Sequence, residues 1–280
     1  REILQEHQLV DSIKKAATKR MLDSLKDLKT NSFDKYKEFW NEYGLVLKEG
    51  PAEDHENKET IASLMLFAST FSNNNSVNQS LDDYVGRMKS DQDKIYFCVA
   101  DTYEAAVNSP HIEGLKSKGI EVILLTDRID EWLMAGLMEF QGKELVNAAK
   151  EDIEKEDTSK KVSEADQDII KKIKKHLNEK VSDVVISSRL TDSASCIVLP
   201  KHEPGAQLRK ILEASGQSLG SSNPIFEINI KHKLVKKLKD MKGKQFNAYV
   251  DFLYDYAVIA EGGSPQDPSR YLRQLDKYLS

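Results

Sequence analysis

The chain opens with apolar residues at helical spacing. Val10, Ile13, Ala17, Met21, Leu25 and Leu28 recur every three or four positions, which predicts one stripe of a long amphipathic helix. Ser32 is placed to cap the next helix, striped by Phe33, Tyr36, Trp40, Tyr43 and Leu47, and Gly50-Pro51 should end that pattern. A third stripe follows at Ile61, Leu64, Met65 and Ala68. Ser80 with Asp83 approximates a capping box before a short helix reaching Met88. The period then changes. Residues 94–100 read as a strand, helical sequence covers 103–107 and 112–116, Gly119 is a C′ stop, and 120–125 is a near-continuous apolar run suited to a strand buried on both faces. Strand, crossover and strand make a βαβ unit with parallel strands. Beyond it come a helix striped by Ile169, Ile173 and Leu177, and apolar runs at 184–186 and 196–199 that read as a hairpin. Leu208, Ile211 and Leu212 then form a short helix face, followed by a strand at 225–230. Two helices close the chain, one carrying Phe246, Val250, Leu253 and Ala257. The other has Asp267 as cap, Pro268 at the first helical position, and Leu272, Leu275 and Leu279 along its stripe.

This order predicts an α/β and α+β chain: a helical bundle with a small βαβ sheet domain, then a mixed α+β domain ending in a helical bundle. The stretch from 149 to 166 is charged and nearly core-free, and marks the boundary. The expected division is 1–150 (1–90 helical, 91–150 α/β), a charged linker or exposed helix over 151–166, and 167–280. At 280 residues, two domains are the ordinary expectation.

Composition narrows the function classes. The chain is 39% hydrophobic and 31% charged, with 41 Lys and Arg against 46 Asp and Glu and a net charge of −5. That mixed-sign surface is not the footprint of a dedicated nucleic-acid binder. No apolar run approaches the ~20 residues that span a bilayer. Cys98 and Cys196 each sit in an apolar run and read as small buried hydrophobes in a reducing, cytoplasmic setting. The opening at Arg1, directly in helical sequence and without Met, suggests a piece of a longer protein.

Candidate chemistry is sparse. The six histidines are scattered and no cysteine cluster joins them, so no metal site is expected. There is no Gly-x-Ser-x-Gly elbow, no Gly-x-Gly-x-x-Gly and no phosphate-binding P-loop. Lys231, Lys233, Lys236, Lys237, Lys239, Lys242 and Lys244 could contact phosphates, but a solvated helix face opposite Leu234, Val235, Leu238 and Met241 is the preferred reading in an acidic chain. Residues 119–132 carry the strongest signal. The apolar run ends in Asp127, Arg128, Asp130 and Glu131 and then Trp132, at the strand end where open α/β sheets meet their ligands. Exposed, Trp132 would be a hot spot for a protein partner. The competing reading is a small-molecule enzyme using the edge near Asp127 and Asp130. In the closing helices Tyr249, Phe252, Tyr256, Tyr271 and Tyr278 broaden the apolar faces beyond one stripe, which suggests a subunit interface.

Several segments resemble one family. They are Arg1-Glu2-Ile3-Leu4-Gln5, Leu47-Lys48-Glu49-Gly50 with Glu53-Asp54, Ser80-Leu81-Asp82-Asp83-Tyr84, Arg87-Met88-Lys89, Ile95-Tyr96-Phe97, Ser109-Pro110, Gly119-Ile120-Glu121-Val122, Asp127-Arg128-Ile129-Asp130-Glu131-Trp132, Arg189-Leu190-Thr191-Asp192 and Ile225-Phe226-Glu227-Ile228-Asn229. The chain is similar throughout to the ninety-kilodalton heat-shock chaperone family, bacterial type. The resemblance implies that 1–150 is the later part of the middle domain and 167–280 the C-terminal dimerisation domain. It implies ATP with magnesium as cofactor of a full-length parent, none for this piece, and no enzyme activity of the piece alone. Arg1 and Gln5 match residues that reach the ATP γ-phosphate. Glu131 and Trp132, with Leu208, Ile211 and Leu212, match client-contact positions; Pro204 and Leu212 depart from the Met and aromatic often found there. A homodimer is implied through the closing helices at Tyr249, Phe252, Leu253, Tyr256, Tyr271, Leu272, Leu275 and Leu279. Non-native client proteins and the seventy-kilodalton chaperone system are the implied partners, with no nucleic acid and no membrane.

Overall fold

A computed structural model describes residues 8–72, 74–150, 163–200, 203 and 223–279. The architecture is mixed α+β. It starts with three helices, α1 (Gln8–Asn31), α2 (Phe33–Glu53) and α3 (Lys58–Leu64). The α1 stripe is used only at its end. Leu22 and Leu25 are buried against the neighbouring helices, whereas Ile13 and Met21 are each 67% exposed. Met21 lies beside the buried Leu22, so the buried face of α1 is turned away from Ile13 and Met21. On α2, Tyr36 and Trp40 are buried but Tyr43 is not. Ser32 occupies the N-cap position without a side-chain hydrogen bond.

Gly50-Pro51 does not end α2, contrary to the sequence reading. Pro51 sits inside the last turn and is buried. A proline this near the end removes one N–H donor without interrupting a long ladder. Gly50 packs closely on α3: a Cβ there would lie 3.0 Å from two side-chain atoms of Ile61.

A five-stranded sheet follows, built from β1 (Ala68–Ser69), β2 (Lys94–Val99), β3 (Val122–Leu125), β4 (Glu139–Phe140) and β5 (Lys143–Asn147), in the order β1-β3-β2-β5-β4. Strands β2 and β3 are parallel with Phe97 opposite Ile123, as the βαβ reading requires, and β5 is also parallel to β2. Every residue of β3 is buried. Alternate side chains divide between two cores: Ile95, Phe97, Ile123 and Leu125 face the helices of the first seventy residues, while Tyr96, Cys98, Val122 and Leu124 face the crossover. The crossover consists of α5 (Tyr103–Val107), a 3₁₀ turn at Pro110–Ile112 and α6 (Glu113–Ser117), and ends at Gly119 with φ +65°. Before it, α4 (Leu81–Arg87) carries the full capping box. The Asp83 N–H donates to Ser80 Oγ at 3.2 Å and the Ser80 N–H to Asp83 Oδ2 at 3.1 Å.

The helix α7 (Asp130–Gly136) leaves β3 and carries Trp132. After the undescribed stretch, Ser163 caps α8 (Glu164–His176), so this helix begins inside the segment read as linker. Strands β6 (Asp183–Ile186), β7 (Ser195–Val198) and β8 (Ile225–Ile228) form a second sheet. β6 and β7 are not a hairpin. The later strand β8 lies between them, parallel to β6 and antiparallel to β7. Phe226 and Ile228 of this central strand are fully buried. A short helix α9 (Lys233–Lys236) leads to α10 (Gly243–Ala260) and α11 (Pro268–Leu279). Asp267 caps α11 by accepting the Arg270 N–H at 2.9 Å.

The two sheets are joined by a polar seam. Glu113 on α6 accepts the backbone N–H groups of Thr191 (2.8 Å), Asp192 (2.9 Å) and Ser193 (3.1 Å). Arg189, 4% exposed, donates to the carbonyls of Ala148 and Lys150 and to Glu227. A Cβ at Gly114 would lie 2.8 Å from the Arg189 carbonyl oxygen, so only glycine allows this approach.

Candidate client-binding edge

The two aspartates after β3 are not a free rim. Lys48 projects from the buried face of α2, on the line Tyr36, Trp40, Gly44, Lys48. Its Nζ lies 2.6 Å from Asp130 Oδ1 and 2.7 Å from Asp127 Oδ2. Asp130 has no exposed surface, and its second carboxylate oxygen accepts the Asp127 N–H at 2.8 Å. Burial pushes the Asp130 carboxyl up from its ordinary range, and the Lys48 ammonium pulls it partly back. The same ammonium lies 5.8 Å from the centre of the Phe67 ring. At the other end of α7, Gly136 packs on Ala52, where a Cβ would meet backbone at 3.1 Å. A buried ion pair and a close helix contact thus hold α7 against α2.

On this fixed helix Leu133 and Met134 turn inward and Trp132 turns out, 57% exposed. Met138, just past the helix, is 65% exposed. Glu131 is half-buried beside Trp132. An aromatic presented on a rigid element needs little ordering when a partner covers it.

The same geometry removes support from the enzyme reading. Asp127 and Asp130 are committed to Lys48, and Asp130 cannot reach solvent. The cavity at the carboxyl end of β2 holds about 110 Å³ and is lined by Cys98, Asp101, His111, Glu131, Lys150 and Glu261, among others. That is small beside sites for organic ligands. His111, buried, has Nε2 2.6 Å from Glu261 Oε1 across the seam. Burial pushes the Cys98 thiol up to about 12, and Cys196 also rises well above its ordinary value, so neither is a ready nucleophile. Among the described residues no group of His, Cys, Asp and Glu is placed to hold a metal, and no helix is long and apolar enough to cross a membrane.

The remaining sequence candidates fall in different places. Arg1, Gln5, Leu208, Ile211 and Leu212 lie outside the described residues. Tyr249, Phe252 and Leu253 are buried in this chain's own core, where Tyr278 meets Tyr249 edge-on at 4.6 Å and Tyr271 stacks on Phe252 at 5.4 Å. Their surface is spent inside the protomer. Tyr256, Tyr271 and Leu275 are half-buried, and Leu272 is 58% exposed. The side chain of Leu279 lies outside the described residues. Lys48 was not a candidate from sequence. The available signal was a lysine on the apolar line of a helix, which demands an anion inside.

Comparison with known proteins agrees with the sequence resemblance. The family model described as Hsp90 protein matches residues 1–280. The chain is 46% identical over 285 residues to "Chaperone protein HtpG" of Legionella pneumophila (strain Lens), covering 100% of this chain and 46% of that protein. It is 45% identical over 288 residues to the protein of the same description from Colwellia psychrerythraea, covering 100% of this chain and 44% of that one. It is 43% identical over 288 residues to that of Shewanella halifaxensis, covering 100% and 45%. The chain therefore spans about half the length of the curated relatives it matches.

Proposed function

Because this chain belongs to the Hsp90 family, we propose that it is the part of a molecular chaperone that pairs with a second copy of itself and holds non-native proteins. The observation that carries the reading is Trp132. A 57% exposed tryptophan stands on a helix fixed by the Lys48–Asp130 pair, in a chain whose relatives are described as chaperones. Apolar segments exposed in an unfolded client would cover it, and Glu131 would meet their polar neighbours. Leu272 on the outward side of α11, beside the half-buried Tyr271 and Leu275, would pack on the same helix of a second copy, an isologous contact. Tyr249, Phe252 and Leu253 support that surface from behind. The resemblance extends the proposal to magnesium-ATP turnover in a longer parent, with Arg1 and Gln5 at the γ-phosphate, to a cytoplasmic setting, and to work with the seventy-kilodalton chaperone system.

The test has two parts. In sedimentation velocity at micromolar concentration the chain should run as a dimer, and Leu272→Glu should shift it to monomer; a clean wild-type monomer removes the pairing. In fluorescence anisotropy with a reduced, permanently unfolded protein, Trp132→Ala should weaken binding by at least about tenfold while leaving sedimentation unchanged. Unchanged affinity would remove Trp132 from the site.

A further inference from the structure

The lysines of segment 231–244 form a solvated face opposite the buried Val235 and Leu238, and one end of that face closes a basic cleft. Lys242 comes together there with Lys172, Lys175 and His176 of α8, around a cavity of about 440 Å³ floored by Met241 and Phe246. Most neighbouring charges are already neutralised. Lys174 pairs with Asp183 at 2.8 Å, Lys239 with Asp166 at 2.8 Å, and Asp251 is engaged by His176 at 3.1 Å and Lys180 at 3.8 Å. Lys172, Lys175 and Lys242 make no ion pair with a described residue; Asp168, one turn before Lys172, is not within pairing distance of it. Three unpaired ammonium groups thus surround one concavity in a chain whose net charge is −5.

We propose that this cleft binds an acidic segment of a partner protein, with carboxylates flanking an apolar side chain. Carboxylates would take the three ammonium groups, and the apolar side chain would rest on Met241 and Phe246. A nucleic acid fits less well. Its phosphates need a basic track, and its bases need an exposed ring to stack on, whereas these lysines ring a single cavity and Phe246 is only 6% exposed. The net negative charge elsewhere also repels a long polyanion more than a short peptide. The inference is independent of the role given to Trp132, which lies on α7, away from the cleft.

The experiment uses the whole chain and fluorescein-labelled Glu-Asp-Leu-Glu-Asp-Phe, followed by anisotropy. The peptide should bind at low salt and weaken as salt rises, and its Gln/Asn counterpart should not bind. Lys172→Glu/Lys175→Glu/Lys242→Glu should weaken binding by about tenfold or more, three exposed pairs being lost together. An equal charge change on α1, Lys14→Glu/Lys19→Glu/Lys26→Glu, should leave affinity within about twofold, because those lysines lie outside the cleft. Wild-type affinity in the cleft variant, or an equal loss in the α1 variant, overturns the site. Tighter binding of a single-stranded oligonucleotide, abolished by the cleft substitutions, overturns the partner class.

Discussion

Replacing Lys48 by Met tests whether the tryptophan-bearing helix is held by charge. The substitution keeps most of the side-chain volume but strands Asp130, which has no exposed surface, with only the Asp127 N–H as a remaining partner. Breaking a buried ion pair by removing one member costs about 3–5 kcal/mol, and the retained N–H donor places this case near about 3 kcal/mol. For a chain of this size that is a fall in melting temperature on the order of 6–12 °C. Urea unfolding followed by circular dichroism, with coincident tryptophan fluorescence, would measure it. The pH dependence has a definite sign. Burial already raises the Asp130 carboxyl in the folded protein, and without Lys48 it rises further. The folded variant then binds a proton that the unfolded chain releases, so its deficit should shrink as pH falls from neutrality toward the unfolded carboxylate value near about 4. Adding Asp130→Asn removes the stranded charge while keeping an acceptor for the Asp127 N–H, and should restore most of the lost stability. A Lys48→Met cost below about 1 kcal/mol, or no rescue by Asn, would refute the view that this pair anchors α7.

The seam between the sheets makes two further predictions. Burial disfavours the Glu113 carboxylate, but the Ser193 hydroxyl and the backbone N–H groups of Asp192, Ser193 and Thr191 outweigh it and hold its pKa below the ordinary value. A depressed carboxyl contributes stability that is present above the unfolded pKa and lost as pH falls through the folded one. Glu113→Gln should therefore lower the melting temperature at neutral pH, with the difference fading below about pH 4.3; a constant difference across that range would refute it. Gly114→Ala should cost about 1–3 kcal/mol, because the new Cβ meets backbone at 2.8 Å and the Arg189 segment must shift. Equal denaturation midpoints for Gly114→Ala and wild type would show the approach to be slack.

Much of the local structure was legible in the chain. The capping box at Ser80, the stop at Gly119, the parallel pair around Phe97 and Ile123, and the Asp267 cap all depend on groups a few residues apart or on one uninterrupted apolar run. Short-range periodicity and hydrogen-bond chemistry specify such features whatever the rest of the molecule does. Where the reading failed, a distant segment decided. β8 separates β6 from β7 although it is further along the chain, and Gly50-Pro51 continues a helix that packs closely on Ile61. Ile13 and Met21 keep a helical stripe that no described element covers. The edge after β3 shows the same division. Its composition, an apolar strand followed by charges and a tryptophan, is written in the sequence. That Asp130 and Asp127 turn onto Lys48, some eighty positions earlier, while Trp132 stays exposed, is decided by tertiary packing. A buried cation and its carboxylates must meet wherever the fold brings them, and nothing in their spacing along the chain records that meeting.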